Sequence, residues 1–316
     1  MMQSIFLFLK GLAMGAANVI PGVSGGTIAL VTGIYETFIN SLKSLDLSAI
    51  QLLLKGKFKE FWTYINGTFL TMLFLGIGVS LFTLAKFFKF LLENENPNYS
   101  IWLMAFFFGL ILASIYFVGK TVEKWSPITI LFLVVGTALA VWIALLNPAT
   151  ENSAWWYLGI CGVIAMCSMI LPGLSGSFVL ILMGNYKLIM LDAVSELNVK
   201  ILIPVAIGAV AGLIAFSRIL SWVFKHYRDQ TIALMTGFIL GSLLTIWPWK
   251  NEVPLLGPDG NPIIKEGKTL ISGYEWFMPE LGESAVIIAL VVAVLGALSI
   301  WGIEVAANQT APQTEA

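Results

Sequence analysis

Charge is scarce in this chain. Only 11% of its 316 residues are Asp, Glu, Lys or Arg, against 58% hydrophobic residues and a mean hydropathy of +0.90. A soluble domain of this length carries far more charge, so the composition excludes one and describes an all-α polytopic membrane protein. Histidine is nearly absent. With His226 alone, no histidine-based metal cluster can form, and neither a metal nor a cofactor is expected. Cys161 and Cys167 do not share a helical face, and they read as packing residues rather than a disulfide or metal pair. Lys and Arg number 17 and Asp and Glu 18, a net charge of -1, so nothing in the balance points to nucleic acid. No paired carboxylates stand at helical spacing and no histidine falls within a span, which argues against an enzyme. Residues 1–10 place no basic stretch ahead of the apolar run, which reads as no removable signal peptide.

What the chain does have is one interruption, made twice. Pro21-Gly22-Val23-Ser24-Gly25-Gly26 and Pro172-Gly173-Leu174-Ser175-Gly176-Ser177 both break apolar sequence. Each is followed at matched spacing by a Gly-x-Tyr, Gly33-Ile34-Tyr35 and Gly184-Asn185-Tyr186. The chain therefore reads as an internal duplication, with a first repeat over residues 1–152 and a second over 153–316. Residues 76–86 align without gaps on 208–218, which sets Lys86 opposite Arg218. A looser match sets Leu103-Met104 and Gly109 against Leu234-Met235 and Gly241.

Each repeat is expected to hold a broken helix pair and three transmembrane helices. In the first, the pair covers about 4–40 and the spans about 67–92, 99–119 and 127–147. In the second, the pair covers about 155–191 and the spans about 199–224, 229–247 and 284–304. The lysine-bearing stretch 41–66 suggests an amphipathic segment on the cytoplasmic surface. The loop 250–283, with Asp259-Gly260 between short apolar runs, suggests a small hairpin outside the lipid, and 305–316 reads as a disordered tail.

Threading decides how the repeats relate. If each broken pair turns back at Pro-Gly, a half makes three crossings and the second half is inverted; if each pair crosses once, the repeats are parallel. Loop lysines do not choose, since re-entrant threading leaves Lys187, Lys200, Lys250, Lys265 and Lys268 outside. Re-entrant pairs are favoured, because inverted-repeat transporters aim two helix ends at one mid-membrane cavity in this way.

The residue types at the breaks suit an anion. Pro21, Gly22, Pro172 and Gly173 stop the helix, and the following Ser24-Gly25-Gly26-Thr27 and Ser175-Gly176-Ser177 supply hydroxyls and bare amides at the next helix start. Such ends carry partial positive charge and let a phosphate or carboxylate approach closely. The plainer alternative is a kink with small residues packing neighbouring helices. Arg218 lies inside a span, where a charge without a partner is costly, and its planar fork suits phosphate; Lys86 is its counterpart, near enough to the span end to snorkel. Glu36, Tyr35 and Tyr186 are candidates for coupling or gating, although Lys187 replaces the acid in the second copy.

The run Met14-Gly15-Ala16-Ala17-Asn18-Val19-Ile20-Pro21-Gly22-Val23-Ser24-Gly25-Gly26-Thr27, with Gly33-Ile34-Tyr35-Glu36 and the second copy 169–178, closely resembles the PopT-type polyprenyl-phosphate translocases. The likeness extends through Phe216-Ser217-Arg218 and residues 237–248, nearly the whole chain. It implies a multi-pass bacterial plasma-membrane protein that returns undecaprenyl phosphate from the outer to the inner leaflet, recycling a carrier for envelope polymers. Its partners would be that lipid, the surrounding membrane lipids and a coupling ion, proton or sodium, which no residue identifies. The phosphate would be held by Ser24, Gly25, Gly26, Thr27, Ser175, Gly176 and Ser177, with Arg218 and Lys86 neutralising charge. The residues alone supply only an anion site, so a channel or secondary transporter for small soluble anions stands beside that reading. The oligomeric state is not legible.

Overall fold

Helix α1, Met2–Val19, ends just ahead of Pro21-Gly22, and α2, Gly25–Val31, folds back along it. The Gly25 amide donates to Asn18 Oδ1 at 2.8 Å, and Lys10 Nζ donates to the Thr32 carbonyl, at the far end of α2, at 2.8 Å. Later residues of α2 thus meet earlier residues of α1. Helix α9, Trp155–Ile170, and α10, Gly176–Leu182, repeat the arrangement: a Cβ on Gly176 would lie against Met169 and Ala165, and Tyr157 donates to the Met183 carbonyl at 2.9 Å. The computed structural model describes residues 2–20, 23–92, 96–194, 196–254, 264–265, 268–269 and 271–310.

Neither broken pair is a simple pair of half-helices. After α2 the chain turns at Gly33, with φ of +70°, into α3, Tyr35–Lys43. After α10 it turns at Gly184, with φ of +74°, into a π-helical turn, Lys187–Ala193. Left-handed backbone favours glycine, so each Gly-x-Tyr marks a second turn in its pair. At Gly184 a Cβ would also collide with the Ala149 carbonyl.

The long helices are α6, Gly67–Leu92; α7, Asn98–Gly119; α8, Pro127–Ala144; α11, Val199–His226; and α13, Ser284–Thr310. Among the described residues these five are long and apolar enough to cross a membrane. The sixth expected span, 229–247, differs. Its helix α12, Arg228–Ser242, is shorter and largely buried, and i→i+3 bonds from Leu243, Leu244 and Thr245 tighten the chain before Pro248, which cannot donate. An interior helix is enclosed by protein and need not match the lipid's thickness. The expected tail also changes, since α13 continues to Thr310, while 311–316 lie outside the described residues.

Glycines let the helices pair with backbones nearly touching, as in membrane helix packing generally. A Cβ on Gly11 would run into the Leu73 carbonyl and one on Gly76 into the Phe8 carbonyl, joining α1 to α6. The same reciprocal approach joins α9 to α11, with Gly162 on Val205 and Gly208 on Gly159. Helix α7 meets α13 through Gly109 on Ala293 and Gly296 on Phe106, and α8 meets α12 through Gly136 on Leu234 and Gly237 on Leu133. Gly109 and Gly237 thus each sit in such a seam, and Gly241 approaches Ala140 and Thr137 one turn further along α12.

Between α3 and α6 the stretch 41–66 forms two short helices, α4, Leu47–Leu54, and α5, Phe58–Tyr64. Asp46 caps α4 by accepting from the Ser48 and Ala49 amides at 2.8 and 3.1 Å. Leu47, Leu54 and Phe58 are exposed among Lys55, Lys57 and Lys59, the pattern of an interfacial segment. In the last loop, β1, Lys250–Pro254, pairs antiparallel with β4, Ile271–Trp276, around the short strands β2, Ile264–Lys265, and β3, Lys268–Thr269. The expected turn at Asp259-Gly260 lies outside the described residues.

Candidate functional site

The two breaks meet in the buried core. Ser24 sits at the N-cap of α2 with extended backbone, φ -118° and ψ 129°, and its Oγ accepts from the Gly26 amide at 3.2 Å. The same hydroxyl donates to the Leu171 carbonyl at 3.2 Å. Thr27, fully buried, accepts from the Gly173 amide at 3.0 Å. Tyr35, also buried, donates to the Ile170 carbonyl at 2.9 Å. Backbone groups freed where α9 stops are thus satisfied by side chains of the first half, as a water-poor interior requires.

Two glycines make this approach physically accessible. A Cβ on Gly26 would lie 2.8 Å from the Ile170 carbonyl oxygen, inside any real contact. Gly173 has φ of +81°, and its Cβ would fall 2.5 to 2.6 Å from the Phe238–Ile239 backbone of α12. Buried Pro172 completes the second break, whereas Pro21 and Gly22 lie outside the described residues.

The halves differ in how their amides are engaged. In the first, Asn18 holds the Gly25 amide, Ser24 Oγ holds that of Gly26, and the Thr27 amide bonds the Ser24 carbonyl at 3.0 Å. In the second, no side chain caps α10, and Met169, which has no comparable acceptor, packs where Gly176 begins the helix. Ser175 and Ser177 share a hydroxyl–hydroxyl bond of 2.8 Å. The first cradle is therefore turned onto the second break, and among the described residues the hydroxyls of Ser175 and Ser177 engage only each other.

The remaining predicted residues sit elsewhere. Arg218 is exposed on α11, and its charge acts weakly on Asp46. The Ala49 amide first, opposed next by burial, and then the Tyr64 hydroxyl, the Ser48 amide and the Arg218 charge together hold the Asp46 carboxyl below its ordinary value. Lys86 falls within α6, and its side chain lies outside the described residues. Glu36 pairs with Arg228 at 3.3 Å, and Arg228 also reaches the Thr121 carbonyl at 3.3 Å and Glu123 at 3.5 Å. Asp229 accepts from the Glu123 and Lys124 amides at 3.1 and 3.0 Å, so Glu36 is tied to the α7–α8 loop and the start of α12. Tyr186 is half-buried beside Leu158 and Leu180 and has no counterpart of Tyr35's bond across the core.

Sequence reasoning missed three groups. Asn18 was read only as part of a motif, yet it caps Gly25; its place seven residues ahead of a bare helix start was the available signal. Asn185, the middle of the second Gly-x-Tyr, is fully buried and exchanges two hydrogen bonds with the Asn152 backbone, at 2.8 and 2.9 Å. Arg228 counted only as loop charge.

Comparison with known proteins gives this geometry a family. Over 282 residues the chain is 42% identical to a polyprenyl-phosphate transporter of Vibrio cholerae serotype O1, covering 86% of this chain and 89% of that protein. Over 261 residues it is 32% identical to a polyprenyl-phosphate transporter of Staphylococcus aureus, covering 76% of this chain and 85% of that one. No solved structure matches significantly. Both relatives are named as transporters, in keeping with the expectation of a role other than catalysis. Residues 14–257 match the VCA0040-like family, and the chain, a multi-pass membrane protein, belongs to that undecaprenyl phosphate translocase-like family.

Proposed function

We propose that this protein carries undecaprenyl phosphate, or a close polyprenyl phosphate, from the outer to the inner leaflet of the bacterial plasma membrane, returning the carrier lipid for envelope synthesis. The family and the names of its relatives support the lipid. The observation that carries the reading is the interlock of Ser24, Thr27 and Tyr35 with residues 170–173. A phosphate head cannot cross hydrocarbon unaided, whereas its isoprenoid tail can stay in lipid, so only a polar path for the head is required. The groups that join the breaks are the ones that would bind the head. The Gly173 amide and the hydroxyls of Ser24, Ser175 and Ser177 would exchange neutral partners for charged phosphate oxygens, which form stronger hydrogen bonds. Thr27, Gly25, Gly26 and Gly176 would line the same cradle, and Arg218 and Lys86 would balance charge along the route. Pro21, Gly22, Pro172 and Gly173 would hold the breaks, and Tyr35, Tyr186 and Glu36 would serve coupling or gating.

The two halves are read as inverted repeats with re-entrant pairs. The fold-back of α2 on α1 and of α10 on α9 supports this, as do the matched glycine contacts in each half. Three crossings per half would then put Lys43, Lys120, Lys124, Lys225 and Arg228 on one face and Lys187, Lys200, Lys250, Lys265 and Lys268 on the other. Rocking of one repeat against the other would open the junction to each leaflet in turn.

The test is leaflet exchange of labelled undecaprenyl phosphate in proteoliposomes, with and without a proton or sodium gradient. Wild type is expected to exchange the lipid and Ser24→Ala/Ser175→Ala to slow it at least tenfold, about 1.4 kcal/mol of barrier. Passage of small anions without lipid exchange would replace this reading with a soluble-anion pathway.

A further inference from the structure

A recess of about 310 Å³ lies between α3 and α11, on the face that carries Glu36 and Arg228. Its wall includes Lys43 and Lys225, Asn40 and Ser221, and the buried Ile39 and Phe224. Lys43 Nζ donates to Ser221 Oγ at 3.2 Å, and Ser221 donates to Asn40 Oδ1 at 2.9 Å, a polar chain that spans the two helices. Glu36 also lines the recess, but Arg228 holds its carboxylate, so the two lysines leave net positive charge. The volume is at the low end for small-molecule sites, roughly 300 to 1,000 Å³. That suits a phosphate and a short apolar stub, not a long isoprenoid.

The recess is mechanically linked to the core junction. Helix α3 begins with Tyr35, bonded to the Ile170 carbonyl and with its ring tilted against that of Phe224 at 5.6 Å, and ends with Lys43. One short helix therefore carries both a side chain that closes the breaks and a lysine of the recess.

We propose that the recess is a second binding site, for the phosphomonoester head of the carried lipid at the membrane surface. Lys43 and Lys225 neutralise the head, Asn40 Nδ2 and the Ser221 hydroxyl donate to its oxygens, and Ile39 and Phe224 receive the first isoprene unit. This rests on the polyprenyl-phosphate reading above and adds a station apart from the paired breaks.

Isothermal titration of the full-length protein in nanodiscs with geranyl phosphate, a soluble isoprenyl monophosphate, tests it against inorganic phosphate. Geranyl phosphate is expected to bind at least about tenfold more tightly than inorganic phosphate, and Lys43→Ala/Lys225→Ala to weaken it by about tenfold or more. Lys43→Arg/Lys225→Arg should stay within about threefold of wild type, which separates lost charge from misfolding. Unchanged binding in the double alanine variant overturns the proposal, and so does inorganic phosphate binding as tightly as geranyl phosphate. Leaflet exchange on the same preparations keeps the two readings apart. If wild type exchanges lipid while the double alanine variant binds normally, the recess falls and translocation stands. If lysine-dependent binding of geranyl phosphate occurs without any lipid exchange, translocation falls and the recess stands.

Discussion

The hydroxyl of Tyr35 and the carbonyl of Ile170 meet across the core at 2.9 Å, tying the first half's Gly-x-Tyr to the last turn before the second break. Tyr35 is 1% exposed, so water cannot replace this bond.

Tyr35→Phe keeps the ring against Phe224 and leaves the carbonyl without its donor. A cost of about 1 to 3 kcal/mol is expected, read as a lower midpoint of thermal unfolding in detergent. If Tyr35 gates the junction, lipid exchange should change by more than the stability loss explains. An unchanged midpoint would show that another donor takes over the carbonyl.

Asn185→Leu should be of similar severity. The side chain is fully buried and serves both the Asn152 amide and its carbonyl, so its loss should cost about 1 to 3 kcal/mol. Cleavage by a protease in the chain around 149–152, compared between wild type and variant, reads the release of that segment directly.

The glycine seams give a paired prediction. Gly109→Ala drives a methyl into the Ala293 carbonyl and should destabilise by about 1 to 3 kcal/mol, because two backbones must part. Gly78→Ala, in the same kind of helix with nothing within 4 Å of the new methyl, should be neutral or stabilising by up to about 1 kcal/mol. Thermal midpoints of the two variants should move apart, and equal midpoints would contradict the seam.

Asp46 supplies a pH dependence. Its carboxyl is held below the ordinary value, first by the Ala49 amide. The folded state therefore favours the carboxylate, and this contribution is present above the unfolded group's pKa and lost as pH falls through the folded one. Hydrogen exchange at Ser48 and Ala49 should accelerate, relative to the intrinsic rate, only below about pH 4. Asp46→Asn, which still caps, should abolish that pH response while protecting the amides.

Much of the fold was readable because it follows from local chemistry. The all-helical membrane character and the five long apolar helices rest on hydrophobic length in short windows, and the helix ends ahead of residues 21 and 172 on Pro and Gly. What was not readable depends on which distant backbones touch. Ser24 and Thr27 looked like open ligands for an anion, yet they face residues 171 and 173, because the freed groups of α9 need partners in a dry core. Arg228 looked like loop charge until the fold placed it against Glu36. Leu-Met letters gave no sign that Gly109 approaches Ala293 or Gly237 approaches Leu133, since such contacts select for a missing Cβ rather than for identical neighbours. The span 229–247 was overestimated because hydrophobicity does not distinguish lipid-facing from protein-facing helices.

The cross-pairing of α7 with α13 and of α8 with α12 joins helices made far apart in time. Helix α7 leaves the ribosome early, but the seam formed by Gly109 and the Trp102 bond to the Ala285 carbonyl wait for the last helix to be made. Until α13 is made, α7 would carry an unpaired glycine face. Truncation before residue 284 should leave α7 without its partner, and quality-control proteases would meet two unfinished halves rather than one finished and one missing.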